Sequence, residues 1–442
     1  MINRSLIISG KALSQSFRLL NLGNGTTWPG HIALSVNKNF TKDLLKDSPI
    51  KLIFIAGTNG KTTTATLIKN ALEKAGKKVI QNESGANLLN GIASTLLLST
   101  NASGKLTQDY AIFEVDENVL PKLLQEVTPE YLILMNLFRD QLDRYGEIDS
   151  IAKKWQEAIQ KLTEKTQLIV NADDPQIAYL GLRKNPVIPD VIGDPEKIEH
   201  DTILYFGLES QENKQELQHA ADSVYCPQCG MKLTFTSLIF SHLGHWQCKA
   251  CGLKRPQVEK ASINHYPLPG AYNKYNTLAA WITLQRIGLT NKEIEQSLRD
   301  FQPAFGRQEI IEYKNKNVQI FLSKNPTSFN QSYMTMKELE AKTLLLVLND
   351  RIPDGRDVSW IWDIDLPDLT SFKNVLISGD RVYDMALRIK YEGYKEFETF
   401  ENLTDAIERG ISLTQKEETF FVLPTYSAML EVRKILTGKK IL

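Results

Sequence analysis

The apolar positions of this chain fall into two series of short runs, each run separated from the next by a stretch with helical spacing. From Lys51 onward, "KLIFIAG", "KKVIQNES", "DYAIFEVDE", "YLILMNL" and "QLIVNADDP" read as strands. Helices are predicted between them: one ending at Gly76, one near 87 to 100, one near 119 to 126, and one over "IAKKWQEAIQKL". Near-continuous apolar runs, rather than strict alternation, mark strands buried on both faces, so the pattern predicts an α/β unit with a mostly parallel sheet. A polar stretch at 208–222 interrupts it. "YNTLAAWITLQRIG" and "NKEIEQSLRDF" then return to helical spacing, and from Phe305 a second series begins with "VQIFLS", "TLLLVLND", "NVLISGD" and "TFFVLP". This predicts two units, 1–305 and 306–442, with a boundary near Phe305 to Arg307 and a smaller insert at 222–256 inside the first.

A chain of 442 residues is long enough for two or three such units. Its 52 basic and 52 acidic side chains cancel, so no overall field draws it to nucleic acid or to an anionic membrane. No apolar run reaches membrane-spanning length and the first twenty residues lack a cleavable leader pattern, so a cytoplasmic, non-spanning protein is expected.

The most informative stretch is "AGTNGKTTT". A strand ends at Ala56, Gly57 and Gly60 let backbone approach an anion, and Lys61, Thr62 and Thr63 open a helix. Helix-start N–H groups favour phosphate, a lysine there reaches the outer phosphates, and a following hydroxyl ligates magnesium. The loop Gly57, Thr58, Asn59, Gly60, Lys61, Thr62, Thr63 is therefore a candidate ATP cradle in a short G-x-x-G-K-T form.

All four cysteines lie close together as Cys226-x-x-Cys229 and Cys248-x-x-Cys251, separated by eighteen residues. Two such knuckles make a tetrahedral thiolate cage, and zinc is the expected occupant. His242 and His245 are close in sequence, but four thiolates already complete a closed structural site. A clip or docking surface is expected of this zinc-ribbon insert, since "CGLKRP" is only a modest basic patch for nucleic acid.

"GTNGKTTT" resembles the loop of the Mur ligase and folylpolyglutamate synthetase family, and further segments follow in the family's order. "FEVDE" looks like the strand end that supplies a magnesium-binding glutamate, matching Glu114. "LILMNLFRDQLDRYGE" is similar to the N-x-x-x-D-H-x-D segment, with Gln141 at the usual histidine. "VNADDP", "GAYNKYNTLAA" and "FGRQE" resemble later segments whose asparagines and arginine face the nucleotide, which implies roles for Asn273, Asn276 and Arg307. Tyr272 stands where a histidine is usual. The resemblance implies a Mur-ligase-like ATPase core, a C-terminal Rossmann-like α/β unit, and activation of a carboxylate as an acyl phosphate by ATP and magnesium. Lys153 and Lys154 lie where relatives often carry a carbamylated lysine, and they read here as a solvated helix face. Lys324 stands near a histidine-containing motif of many relatives.

The four-cysteine insert and the absence of a separate nucleotide-sugar unit before the loop narrow the resemblance to the MurT branch, the ligase subunits of lipid II isoglutaminyl synthase. That branch implies amidation of the D-glutamate α-carboxyl of lipid II at the inner face of the membrane, and the neutral charge and missing anchor point to membrane contact only through the lipid-linked substrate. Every cysteine is committed to metal, so the chain has no spare thiol for releasing ammonia from glutamine. The branch implies a GatD-like glutaminase partner in a heterodimer, docked on the C-terminal unit. It implies that an aspartate in "NDRIPDGRDVSWIWDIDLP" orients the partner's catalytic histidine: Asp354 first, Asp357 second. Trp360 and Trp362 fit interface anchors, one face of a strand or a buried core equally well. Two other readings remain at this point: a stand-alone ligase that adds an amino acid, and a zinc-ribbon nucleic-acid-binding NTPase.

Overall fold

The computed structural model describes residues 2–19, 27–46, 48–82, 85–101, 103–139, 148–184, 202–209, 217–218, 221–303 and 305–439. Gln141 lies outside the described residues. Three helices come first: α1 (Ile2–Leu19), α2 (Trp28–Val36) and α3 (Phe40–Leu45). Ile7, Ala33 and Phe40 from them pack with Ala93 and Leu97.

The first α/β series then runs β1 (Lys51–Ala56), α4 (Lys61–Lys74), β2 (Val79–Gln81), α5 (Leu89–Ser99), β3 (Tyr110–Val115), α6 (Leu120–Glu126), β4 (Tyr131–Leu134), α7 (Ile148–Ile159), β5 (Gln167–Asn171), α8 (Pro175–Lys184) and β6 (Ile203–Phe206). Among the described residues its strands form one six-stranded sheet in the order β2-β3-β1-β4-β5-β6, every neighbour parallel. Successive side chains of β1 point to opposite faces, and both faces are buried. Ile53 and Ile55 enter a core with Ile68 and Trp281, whereas Leu52, Phe54 and Ala56 enter another with Leu96 and Trp155. Covering on both faces is what makes β1 uninterruptedly apolar.

The insert contributes a hairpin, β7 (Thr234–Phe240) paired antiparallel with β8 (Leu243–Gln247). Helices α9 (Ala271–Ile287) and α10 (Asn291–Arg299) follow. The capping box at the start of α10, Thr290 with Glu293, satisfies helix-end N–H groups reciprocally.

The second series is β9 (Arg307–Tyr313), β10 (Lys316–Phe321), α11 (Pro326–Glu338), β11 (Thr343–Val347), β12 (Asn374–Ser378), α12 (Val382–Tyr391), β13 (Phe397–Thr399), α13 (Leu403–Leu413), β14 (Thr419–Pro424) and α14 (Tyr426–Thr437). Its described strands form a second six-stranded sheet, β13-β12-β11-β14-β10-β9. Only the edge pair β9–β10 is antiparallel among them. Trp360 and Trp362 lie in a short 3-10 turn, Ser359–Asp363, rather than a strand. The tighter turn sends them apart: Trp360 packs edge-on to Phe329, and the exposed Trp362 meets Tyr391 with ring centroids 5.5 Å apart. Among the described residues no helix is long and apolar enough to cross a membrane.

Candidate nucleotide cleft and four-cysteine centre

The loop between β1 and α4 owes its shape to its two glycines. Gly57 has φ 143°, and a Cβ there would lie 2.8 Å from the Met135 side chain and 2.9 Å from the Asn136 backbone nitrogen. Gly60, at φ 93°, starts α4, and a Cβ there would come within 2.2 Å of Asn276 Oδ1 on α9. Glycine is required at both places by the left-handed backbone and by close approach. The segment after β4 clasps this loop. Thr58 N–H donates to the Asn136 carbonyl, Asn59 N–H donates to Asn136 Oδ1 at 2.9 Å, and Thr58 Oγ1 bridges to Phe138.

The predicted cradle residues come together. Lys61 is buried and folds back: its ammonium donates to the Gly57 carbonyl and to the Thr58 carbonyl at 3.2 Å, and lies 3.5 Å from a Glu117 carboxylate oxygen. Thr62 Oγ1 donates to Glu114 Oε2 at 2.6 Å. Glu114 closes β3, and its backbone is pinned on both sides by Asn82, whose Oδ1 accepts from Glu114 N–H and whose Nδ2 donates to the Glu114 carbonyl. Burial pushes the Glu114 carboxyl above its ordinary pKa, and the bond from Thr62 and the charges of Lys61 and Arg307 only partly offset this. A buried carboxylate in that condition is electrostatically short of positive charge.

Around the loop lies an open cleft of about 740 Å³. Its floor is Asn59, Gly60, Thr62 and Thr63, and one side is the start of α9 with Tyr272, Asn273 and Asn276. The other side comes from the second half: Arg307, and from α11 Gln331 and Ser332. The halves also touch directly, Asn325 Nδ2 donating to Asn59 Oδ1 at 3.3 Å. Asn276 Nδ2 donates to Asn273 Oδ1, so the two predicted asparagines form one unit. Tyr272 accepts a hydrogen bond from Gln308, and burial pushes its hydroxyl up to about 12. Arg307 senses Glu114 and Tyr272, while burial draws its pKa down.

The "VNADDP" residues are buried struts. Asn171 Nδ2 donates to the Met135 carbonyl, and Asp174 accepts from Leu137 N–H and caps the start of α8. Asp173 accepts from Tyr275 and from Arg255 Nε, both at 2.5 Å. Lys153 and Lys154 are exposed on α7, away from these partners' burial. Lys324 is part-buried next to the α11 N-terminus, its N–H donating to Ser328 Oγ.

The insert is part of the cleft wall. Trp246 Nε1 donates to the Ala172 carbonyl, Arg255 reaches Asp173, and His242 lies 3.4 Å from Asp174. The hairpin thereby delivers Phe240, stacked on Phe138 at 6.2 Å, to the cleft. Sequence reading missed Phe138, Phe240, Asn82, Asn136 and Gln331. Of these, only Asn136 carried a signal, as the asparagine of "MNL".

All four cysteine sulfurs lie within 4.8 Å of one another, with Cys226–Cys251 at 3.6 Å and Cys229–Cys248 at 3.5 Å. Zn–S bonds of about 2.3 Å in a tetrahedron require S···S separations near 3.8 Å, so the donors fit a tetrahedral thiophilic ion. Among the described residues this cluster contains neither His242 nor His245.

In the C-terminal segment the acids differ in availability. Asp354 is buried; it accepts from Ser427 N–H at 2.7 Å, from Ser427 Oγ, and from Arg351 N–H at 3.3 Å. Burial raises its pKa against those bonds. Asp357 is exposed and accepts from Ser359 N–H; the Ser359 side chain, and then this backbone bond, draw its pKa down. Asp350, which sequence reading passed over, sits just after β11 and pairs with Arg381 at 3.1 Å.

Residues 55–284 match the Mur ligase middle domain, and residues 322–429 match the MurT ligase C-terminal domain. Two curated proteins named lipid II isoglutaminyl synthase (glutamine-hydrolyzing) subunit MurT align over most of the chain. The one from Staphylococcus aureus (strain COL) is 33% identical, covering 83% of both chains. The one from Streptococcus pneumoniae (strain ATCC BAA-255 / R6) is 31% identical, covering 97% of this chain and 96% of its own. Among solved structures, a pseudomurein peptide ligase type C from Methanothermus fervidus superposes with TM-score 0.65 at 21% identity, over 90% of this chain and 80% of its own. MurF ligase from Thermotoga maritima, solved with ADP, gives 0.59 at 14% identity over 91% and 82%. At those identities the structures establish the shared fold.

Proposed function

This chain belongs to the MurT family, and from that membership we propose that it spends ATP to amidate the D-glutamate α-carboxyl of lipid II, giving D-isoglutamine. The observation that carries the reading is convergence. The end of a glycine-bounded loop, Thr62 with Glu114 bonded behind it, and Arg307 from the second half meet at one cleft, in a chain one third identical to proteins of that name.

The γ-phosphoryl group of ATP passes to the substrate carboxylate, ADP leaves, and an acyl phosphate remains. Ammonia then attacks the acyl carbon, and the C–O bond to phosphate breaks. The backbone of Gly57–Lys61 would cradle the phosphates, with Thr58, Asn59 and Thr63 completing the loop. Lys61 would exchange its carbonyl partners for phosphate oxygens. Asn273, Asn276 and Arg307 would position the nucleotide from the opposite wall. Thr62 and Glu114 fit magnesium: a hydroxyl and an undercompensated buried carboxylate 2.6 Å apart are hard oxygen donors. When bound, the ion neutralises charge on the transferring phosphoryl group. Phe138, Phe240 and Tyr272 line one side of the cleft with rings that would shield a hydrolysable acyl phosphate from water.

The four thiolates would hold zinc, which cross-links two knuckles and so fixes the hairpin carrying Phe240. Purified chain should contain one zinc ion, lost on Cys229→Ser; a metal-free chain of unchanged stability would remove this assignment.

Nitrogen would come from a GatD-like glutaminase subunit, in keeping with the "glutamine-hydrolyzing" relatives and with four cysteines already gathered at one centre. An acid of the Asn349–Pro367 segment would orient that partner's histidine. Asp354 could do so only after releasing Ser427, whereas Asp357 is exposed and Asp350, half-exposed, would have to leave Arg381. The reaction would take place at the inner face of the membrane, where the substrate's lipid is anchored.

The test is product mass. With ATP, glutamine and the partner, lipid II should become one mass unit lighter and release one phosphate per amide. A residue-sized gain in mass, or amide without phosphate, would overturn the reading.

A further inference from the structure

The exposed face of α2 is apolar. Trp28, Ile32 and Val36, spaced i, i+4 and i+8, are 55%, 40% and 62% exposed, while Pro29, Gly30 and Ala33 on the opposite side are buried. The buried side is tightly seated: Gly30 N–H donates to Ser94 Oγ at 2.6 Å, and a Cβ on Gly30 would lie 2.0 Å from the Asn90 carbonyl oxygen. The tight seat of Gly30 against α5 thereby leaves Trp28, Ile32 and Val36 at the surface. Leu88, just before α5, is also exposed at 47%.

Charge says what covers this face. The first 46 residues hold six basic side chains, Arg4, Lys11, Arg18, Lys38, Lys42 and Lys46, against a single acid, Asp43. The remaining residues carry 46 basic and 51 acidic side chains. Overall neutrality thus hides a polar distribution, with a positive N-terminal end and an acidic remainder. Lys38, Lys42 and Lys46 are exposed and follow α2 directly. An exposed aromatic with aliphatic neighbours on one helix face, followed in the chain by exposed lysines of which Lys42 also acts on the Glu126 carboxyl, is the chemistry of a helix lying at an anionic bilayer surface.

The position is also suitable. Helix α5, on which α2 is seated, starts from the loop whose Asn87 carbonyl accepts from Asp116 N–H, and Asn82 of the same connection holds Glu114. Asn87, just before α5, and Asn82 thus bond to Asp116 and Glu114, the residues at and after the end of β3.

We propose that the α2 face, with Lys38, Lys42 and Lys46, is a docking surface for an anionic lipid bilayer, seating the cleft next to its membrane-anchored substrate. The proposal rests on the lipid II reading for its purpose but not for its physics. Whole-chain neutrality had pointed to membrane contact through the substrate alone, because it averages over this asymmetry.

Full-length chain should co-sediment with phosphatidylcholine vesicles containing about a third phosphatidylglycerol, and about tenfold less with phosphatidylcholine alone. Trp28→Ser combined with Ile32→Ser and Val36→Ser should weaken partitioning to the anionic vesicles about tenfold or more. Lys38→Gln with Lys46→Gln should weaken it on anionic vesicles and leave neutral ones unaffected. These positions are exposed, so the thermal midpoint should hold. Equal sedimentation with both vesicle types, or triple-variant binding equal to the parent, overturns the proposal. A triple variant that turns a dimer into a monomer while still binding vesicles makes the face a contact between copies and also overturns it. No ATP or substrate is present, so failure here leaves the ligase reading standing.

Discussion

Helices α4 and α14 each follow a central parallel strand and each direct an N-terminus to the carboxyl edge of its sheet, yet their first turns are filled differently. At α4 the capping position is Gly60, with no side chain to offer, and no side-chain cap is present. At α14 an internal carboxylate, Asp354, accepts from Ser427 N–H and Oγ. A helix start favours negative charge by its orphan N–H groups and its dipole. The first half leaves that demand for a ligand to meet, and the second meets it from its own loop. Two sheets of similar architecture thus differ in what meets the N–H groups at a central helix start: nothing from a side-chain cap at α4, and the Asp354 carboxylate at α14.

The sharpest way to break this comparison is Lys61→Ala. It should cut amidation on the order of a thousandfold and, because the buried ammonium also bonds the Gly57 and Thr58 carbonyls and faces Glu117, lower the thermal midpoint by a few degrees. Full turnover in the variant would mean the loop is not the ATP site.

Asp354→Ala should do the reverse. Removing the plug leaves buried donors of Ser427 unpaired and should cost about 2 kcal/mol in chemical denaturation, with ATP hydrolysis changed far less than in Lys61→Ala. If stability holds and the partner's glutaminase collapses, Asp354 is an interface acid rather than a cap.

Glu114→Gln sharpens the comparison through pH. Burial raises the Glu114 pKa, so its contribution to stability is present below the ordinary carboxylate value and is lost as pH rises through the raised folded value. Without metal, the glutamine variant should melt a few degrees higher than the parent at pH 8, and the gain should fade toward about pH 4. Magnesium should stabilise the parent and not the variant. A variant that melts lower at pH 8 would show that the carboxylate is structural.

Asp357→Asn should have the smallest effect on this chain, within about 0.5 kcal/mol, since the residue is exposed. Any defect should appear only in glutamine-dependent amidation, and added ammonium should restore it. Loss of ammonium-dependent turnover as well would place Asp357 outside a role in nitrogen supply.

Local signals carried much of the fold. The runs from Lys51 to Asn171 and from Val318 to Pro424 became strands, because burial on both faces leaves an uninterrupted apolar signature that needs no knowledge of neighbours. Edge elements were less legible: β9 and β13 are short or half-exposed, and the turn holding Trp360 and Trp362 carries an i, i+2 spacing that a strand would share. The asymmetric N-terminal charge was in the sequence all along, but only the exposure of α2 gives it a surface to act on.

By itself the sequence determined the chemistry available: a short glycine-bounded loop with its lysine and threonines, two cysteine knuckles, and the acids of the C-terminal segment. Those properties follow from residue type and short spacing. Only the tertiary structure decided which groups share a site and which are spent on holding it. Packing brought Thr62 to Glu114 across 52 positions, set Phe240 of the insert against Phe138, and turned Asp354 inward while leaving Asp357 outside. Burial, hydrogen-bond satisfaction and the field of neighbouring charges depend on residues far apart in the chain, so no local reading of a single carboxylate can assign them.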